Sequence, residues 1–170
     1  MKRWFRFTIA GTAFFAAACS VSQTSDSLIK SLPVTVLFAN QVCGPAANVA
    51  GLTRIQTQDK LIETTTKLQG NMLGGSSPDL KVDFDNSNAL LISMGQKPSG
   101  GYAVSLREST ANVKRGTAQI TISWVEPIPG VFTTQMLTSP CLLVSLPKGD
   151  YQQLEVVDQY NETHFKQGVP

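Results

Sequence analysis

The clearest pattern in the chain is a strict alternation of apolar and polar residues over residues 117–124. The apolar set, which would face one side of a strand, consists of Ala118, Ile120, Ile122 and Trp124. A period of two indicates a strand with one buried and one solvated face, which is typical of antiparallel sheets. Short runs of β-branched, aromatic and other apolar residues predict further strands at residues 33–39, 89–93, 103–106, 131–138, 141–146 and 153–157.

One helix is predicted, over residues 59–69. Leu61, Ile62, Thr65 and Leu68 recur at helical spacing on one face, and Thr57 precedes the segment as an N-cap. Short strands separated by Gly/Pro turns, with a single helix, predict a mainly β fold. We expect an antiparallel sandwich or partly open barrel with the helix packed on it, which is α+β by strict counting.

Between two predicted strands lies a turn-forming stretch, residues 94–102. Pro98 has the φ that suits a turn, and Gly100 and Gly101 can adopt positive φ. The stretch predicts a strand–turn–strand unit with Tyr102 at the point where the chain re-enters the sheet. The six residues of its tip, a candidate partner-binding loop, are Lys97, Pro98, Ser99, Gly100, Gly101 and Tyr102. Residues 127–131 are expected beside them.

The first 18 residues predict a signal peptide that ends before Cys19. A basic start precedes an apolar run that is shorter than the roughly 20 residues needed to span a bilayer, and small residues precede the cysteine. This arrangement resembles the bacterial lipobox and implies acylation of Cys19 and anchoring to the membrane. Ser20 follows the cysteine, where an Asp would resemble an inner-membrane retention signal. We therefore expect the protein at the outer membrane, facing the periplasm. An ordinary secretory signal cut near Ala18 is the alternative.

Four segments follow from these assignments: a lipoprotein signal peptide 1–18, a flexible tether 19–32, a β-rich domain 33–158 and a polar tail 159–170. The chain has 14 basic and 12 acidic residues. Because Lys2, Arg3 and Arg6 precede the predicted cleavage point, the mature chain has a net charge of about −1. No basic cluster remains that would bind nucleic acid.

Apart from Cys19, the chain has two cysteines, Cys43 and Cys141. In an oxidising compartment such a pair favours a disulfide. Burial of both as small hydrophobic thiols is the alternative.

Catalytic constellations are not evident. The single histidine, His164, falls in the polar tail, where we expect it to be exposed to solvent. Asp83 and Asp85 could form a carboxylate pair, but an Asp-Phe-Asp sequence more often caps a turn. One histidine and scattered cysteines do not supply a zinc site, and no phosphate-binding glycine loop is present. We predict a protein that is not an enzyme and needs no cofactor or metal.

Residues 82–156 resemble the C-terminal domain of PrcB, an accessory lipoprotein of a bacterial protease complex. The resemblance rests on Val82-Asp83-Phe84, Pro98-Ser99-Gly100-Gly101-Tyr102 within residues 95–102, the alternating strand 117–124, Thr134-Gln135, Thr138-Ser139-Pro140 and residues 142–147. It implies a non-catalytic protein that binds and stabilises a partner, a protease, at the cell envelope. Cys141 departs from the family pattern, in which an aromatic residue often follows Ser-Pro, and this favours a bridge peculiar to this protein.

Two alternative functions remain open at this point. Residues 98–102 are similar to a loop of chagasin-type cysteine protease inhibitors, which insert such a loop into a protease cleft. The alternative for this loop is that Gly100 and Gly101 only make the reversal while Tyr102 packs in the core. A small-ligand or glycan-binding module is the other alternative, and it would have a pocket lined by Trp124 and Tyr102. The oligomeric state is not predicted.

Overall fold

The computed structural model describes residues 30–69 and 80–169, which form two packed sheets and one helix. The strands are β1 Lys30–Pro33, β2 Thr35–Asn40, β3 Ala50–Ile55, β4 Ser87–Met94, β5 Ala103–Leu106, β6 Thr110–Lys114, β7 Thr117–Val125, β8 Cys141–Pro147, β9 Gln153–Val157 and β10 Thr163–Gly168. The helix α1 spans Gln58–Gln69, and a short 3₁₀ helix spans Pro45–Ala47. The mainly β fold class with one α-helix is confirmed, and the sheets are not closed into a barrel.

The first sheet has the strand order β1-β6-β7-β9-β10, with β5 paired to the far end of β7. The second sheet has the order β2-β8-β4-β3, and every neighbour in it is antiparallel. The prediction of an antiparallel fold is wrong at one place, because β7 and β9 are parallel. Parallel pairing is possible there because the chain between them passes through β8 of the other sheet, which restores its direction.

The central strands of the second sheet are buried on both faces. Leu90 and Ile92 of β4 point into the core between the sheets, whereas Ala89 and Leu91 pack toward α1. In β8, likewise, Leu142 packs between the sheets. This double burial explains why β4 and β8 appear in the sequence as continuous apolar runs, whereas the alternating β7 has one fully apolar face.

The helix α1 begins and ends close to its predicted bounds. The backbone N–H of Lys60 donates to Thr57 Oγ1 at 3.3 Å, which is the expected N-cap. Leu61 and Leu68 are fully buried against the second sheet, and Ile62 is half exposed. The predicted apolar face therefore covers the outer face of β4 and β8, except that Ile62 points away from it.

The predicted tail 159–170 is wrong for half of its length, since residues 163–168 form β10 and pair with β9. His164 and Phe165 lie half-buried beside Trp124, so the strand is stabilised by aromatic contacts that its polar composition does not reveal. The predicted tether also ends too late, because β1 begins at Lys30 and pairs with β6. Residues 1–29, including Cys19, and residues 70–79 lie outside the described residues.

Two further predictions are wrong between β4 and β8. The strands β4 and β5 do not form a hairpin, since β4 belongs to the second sheet and β5 to the first. Residues 131–138 are not a strand but an irregular segment. Its backbone groups bond to residues 97–100 of the crossover instead of to a neighbouring strand, as Lys97 and Thr138 exchange two bonds of 2.7 and 3.0 Å.

Candidate functional site

The crossover from β4 to β5 is a fixed loop and not a free tip. We call residues 96–102 the braced loop. Besides the Lys97–Thr138 bonds, the N–H of Gly100 donates to the Thr134 carbonyl at 2.8 Å. The Thr138 hydroxyl donates to the Ser99 carbonyl at 2.8 Å. The loop is thus attached along one edge to residues 134–138.

The glycines of the braced loop allow close packing as well as a turn. Gly101 has φ of 89°, which is in the left-handed region. A Cβ atom on Gly101 would lie 3.1 Å from Pro127 Cβ and 3.3 Å from Thr133 Cγ2. The sequence predicted the positive φ at this position, but the second reason for glycine is the segment that packs against it.

Tyr102 and Lys97 stiffen the same loop. Tyr102 is partly buried and packs against the core between the sheets. The Lys97 ammonium lies 5.1 Å from the centroid of the Tyr102 ring, which is within the range of a cation–π interaction. All six residues predicted as a partner-binding loop therefore lie together, with Pro98 and Gly101 exposed to solvent.

A cluster of exposed apolar side chains lies beside the braced loop. We call it the apolar loop surface, and it comprises Val125, Ile128, Val131, Phe132, Met136 and Leu137. Phe132 is 103% exposed and Ile128 is 72% exposed, so neither contributes to the core. Most of these residues line a shallow groove of about 430 Å³ that also includes Gly101. Exposed apolar residues concentrated in one place are typical of interaction sites.

The sequence predicts only part of this surface. Its pattern places residues 127–131 beside the braced loop, but it predicts a strand over residues 131–138 that would bury alternate side chains. Pro127, Pro129 and Gly130 at the start of the segment are the signal that could have indicated an irregular loop. No sequence pattern distinguishes an exposed Phe132 from a buried one.

A second concave feature, which we call the acidic cleft, lies where β7 meets the β9–β10 turn. Its volume is about 510 Å³, and it is lined by Trp124, Val125, Glu126, Asp158, Gln159, Tyr160, Glu162 and His164. The Trp124 and His164 rings stack with centroids 4.0 Å apart. The side-chain N–H of Gln159 donates to the backbone carbonyl of Trp124, and the side-chain oxygen of Gln159 accepts from the backbone N–H of Trp124, both at 2.9 Å. Trp124 is therefore held in place from two sides.

Asp158 organises the turn behind this cleft. Its side chain is 5% exposed, and its Oδ1 accepts from the N–H groups of Tyr160 and Glu162. Its Oδ2 lies 3.2 Å from His164 Nε2. Burial opposes ionisation of the carboxyl, but the two N–H groups and His164 outweigh it and hold its pKa below the ordinary value.

The position of His164 is the main correction to the predicted sites. The imidazole is 18% exposed and paired with a buried carboxylate, and is not an exposed tail residue. However, none of the described residues that line the cleft is a serine, threonine or cysteine, so the pair lacks the nucleophile of a hydrolytic triad. Tyr102 does not line this cleft.

The other candidates from the sequence, the cysteine pair and Asp83, stabilise the fold. Cys43 and Cys141 form a disulfide that lies buried between the second sheet and the segment before β3. Asp83 caps a turn by accepting from the Asp85 N–H and the Asn86 side chain, and the Asn86 bond is the main cause that lowers the pKa of Asp83.

Within residues 30–69 and 80–169, no three His, Cys, Asp or Glu side chains converge as metal ligands would. In the same part of the chain, no helix has the length and apolarity to cross a bilayer.

Comparison with known proteins gives a family for this region. The family described as PrcB C-terminal matches residues 89–147, from within β4 to the end of β8. No curated protein and no solved structure matches the chain. The matched segment contains the braced loop and the whole apolar loop surface, and it confirms the resemblance stated from the sequence. Residues 89–147, about a third of the chain, are thus similar to the PrcB C-terminal family.

Proposed function

We propose that this protein is a non-catalytic, lipid-anchored component of the cell envelope that binds and stabilises a partner protein, a protease. The observation that carries the proposal is the apolar loop surface beside the braced loop. Six apolar side chains are exposed there, and Phe132 has no contact that hides any of its surface. The family name, which belongs to an accessory subunit, agrees with this role.

The surface has the physical properties of a binding site. A loop fixed by four hydrogen bonds to residues 134–138 loses little conformational entropy when a partner binds. Aromatic side chains that enter a pocket on the partner supply most of the binding energy at many interfaces. Phe132 is the side chain in this surface best placed for that role.

We expect Phe132→Ala to weaken capture of the partner by at least about tenfold, because truncating a central aromatic anchor typically costs 2 kcal/mol or more. The measurement is affinity capture from detergent-solubilised envelopes, with the stoichiometry of each enriched protein determined by mass spectrometry. Ile62→Ala is the matched control, since Ile62 is also exposed and apolar but lies on α1. Equal capture by both variants, or enrichment of no protein by the unmodified chain, would contradict the proposal.

The inhibitor alternative has less support. A loop that enters a protease cleft must project from the protein, whereas the braced loop is covered along one edge by residues 134–138. If the protein acted in this way, a papain-like protease would lose activity in its presence, and Gly101→Trp would restore that activity.

Attachment to the outer membrane through Cys19 is the second part of the proposal. It is supported by the basic start, the short apolar run and the small residues before Cys19. Stable anchoring takes two acyl chains or more, which acylation of both the thiol and the new N-terminus would provide. We expect labelled palmitate to be incorporated into the unmodified protein and not into Cys19→Ser, which should leave the membrane fraction. An unlabelled wild-type protein would refute the anchor and leave the binding role untouched.

A further inference from the structure

The apolar loop surface and the acidic cleft form one continuous strip. Both concave features share Val125 and Glu126 at the end of β7 and the start of the following loop. On one side of this boundary lie Ile128, Val131 and Phe132. On the other side lies the cleft around Trp124. A single extended segment of a partner could therefore contact both.

The cleft half of the strip is negatively charged. Its lining carries the carboxylates of Glu126, Asp158 and Glu162, and the described lining residues include no lysine or arginine. Asp158 is already engaged with two N–H groups and His164. Glu126 and Glu162 are exposed, and among the described residues neither forms an ion pair. Their carboxylates are thus available to a cation from outside.

Aromatic rings complete the chemistry of the cleft. Trp124 donates its indole N–H to Glu126 at 3.2 Å, which places a carboxylate at the edge of the ring. Tyr160 is largely exposed at the same cleft. A guanidinium group can both stack on aromatic rings and form paired hydrogen bonds with a carboxylate, so arginine fits this combination better than any neutral side chain.

We infer that this strip binds a segment of the partner protein in which a basic residue, arginine above all, is close in sequence to an apolar one. The basic side chain enters the acidic cleft between Trp124 and the two exposed glutamates, while the apolar side chain packs on Ile128 and Phe132. This inference rests on the proposed function and specifies the chemistry of the partner. The charge complementarity sets orientation, and the apolar contact supplies most of the affinity.

The inference can be tested with short synthetic peptides and the fluorescence of Trp124. Trp4 lies in the predicted signal peptide, so Trp124 is the only tryptophan of the mature chain and the only reporter when the processed protein is used. Three capped peptides of equal length are compared. One alternates Arg with Leu, the second alternates Glu with Leu, and the third alternates Arg with Ser. We expect the Arg–Leu peptide to bind at least about tenfold more tightly than either other peptide, and its binding to weaken as salt is added. Equal affinities, or no response to any peptide, would overturn the inference.

Substitutions assign the two halves of the strip. The double variant Glu126→Gln, Glu162→Gln should bind the Arg–Leu peptide about as weakly as the unsubstituted protein binds the Glu–Leu peptide. Phe132→Ala should bind the Arg–Leu peptide about as weakly as the unsubstituted protein binds the Arg–Ser peptide. Ile62→Ala should change neither. If the double glutamine variant leaves capture of the partner unchanged while Phe132→Ala abolishes it, this inference is wrong and the proposed function stands. If neither substitution affects capture, both are wrong.

Discussion

Replacing Cys43 and Cys141 together by alanine is expected to lower the free energy of unfolding by about 2–4 kcal/mol, with a corresponding fall in Tm. The bridge joins residues 98 apart in sequence, so its removal frees a long loop in the unfolded chain. Both cysteines are also buried beside Leu143 and Ala47, so the two alanines leave unfilled volume. Chain entropy and packing therefore act in the same direction.

The measurement is denaturant unfolding of both proteins, in the presence and absence of reductant. The wild-type protein should lose stability on reduction, and the double alanine variant should not respond. Mass spectrometry of unreduced, alkylated protein provides the direct check of the bond. Alkylated thiols on the peptides that contain Cys43 and Cys141 would show that the pair is not bridged in the isolated protein.

Gly95→Ala is expected to destabilise the fold by about 2–4 kcal/mol. Gly95 immediately follows β4, has φ of 76° and is buried. An alanine pays roughly 1–2 kcal/mol for this conformation. In addition, its Cβ would lie 2.8 Å from the backbone nitrogen of Ala50, which cannot move without shifting β3. Overpacking of this kind typically costs a further 1–3 kcal/mol.

Gly51→Ala is the matched control for this prediction. Gly51 lies in β3, next to Ala50, and a Cβ there would have no atom within 4 Å. Alanine is also the better strand residue, so we expect a change within about 1 kcal/mol, toward greater stability. The measurement is the Tm of the two variants, compared with that of the unsubstituted protein by thermal unfolding. Similar losses in both would mean that the close approach of Gly95 to Ala50 does not exist in solution.

The sequence predicts those elements whose burial is uniform along their length. β4 and β8 are covered on both faces, and β7 has one apolar face, so each leaves a simple pattern in the chain. α1 is identified for the same reason, from Leu61 and Leu68 at helical spacing. The pairing of strands is a different matter, because alternation within β7 carries no information on the direction of β9.

The elements that the sequence misses are stabilised by contacts from distant segments. β10 is polar in composition and becomes a strand because its backbone pairs with β9 and His164 stacks on Trp124, 40 residues away in sequence. Residues 131–138 have strand-like composition, but their hydrogen bonds are satisfied by the braced loop. Local propensity cannot anticipate either outcome.

The same division holds for the candidate site. Turn chemistry at Pro98, Gly100 and Gly101 identifies the loop, but of the two glycines only Gly101 adopts the predicted positive φ. The exposure of Phe132 and the position of His164 depend on tertiary packing, so the sequence locates only residues 127–131 of the apolar loop surface and does not indicate the acidic cleft. Together these two features provide the functional hypothesis.

The central claim is that a partner protein covers the apolar loop surface, and site-specific photo-cross-linking in living cells tests it most directly. A photoreactive phenylalanine analogue is placed at position 132, or at position 62 as the control. The account predicts one abundant cross-linked protein from position 132, absent from position 62, whose cross-linked peptide contains an apolar residue close to a basic one. No cross-link at position 132, or the same cross-links from both positions, would contradict it.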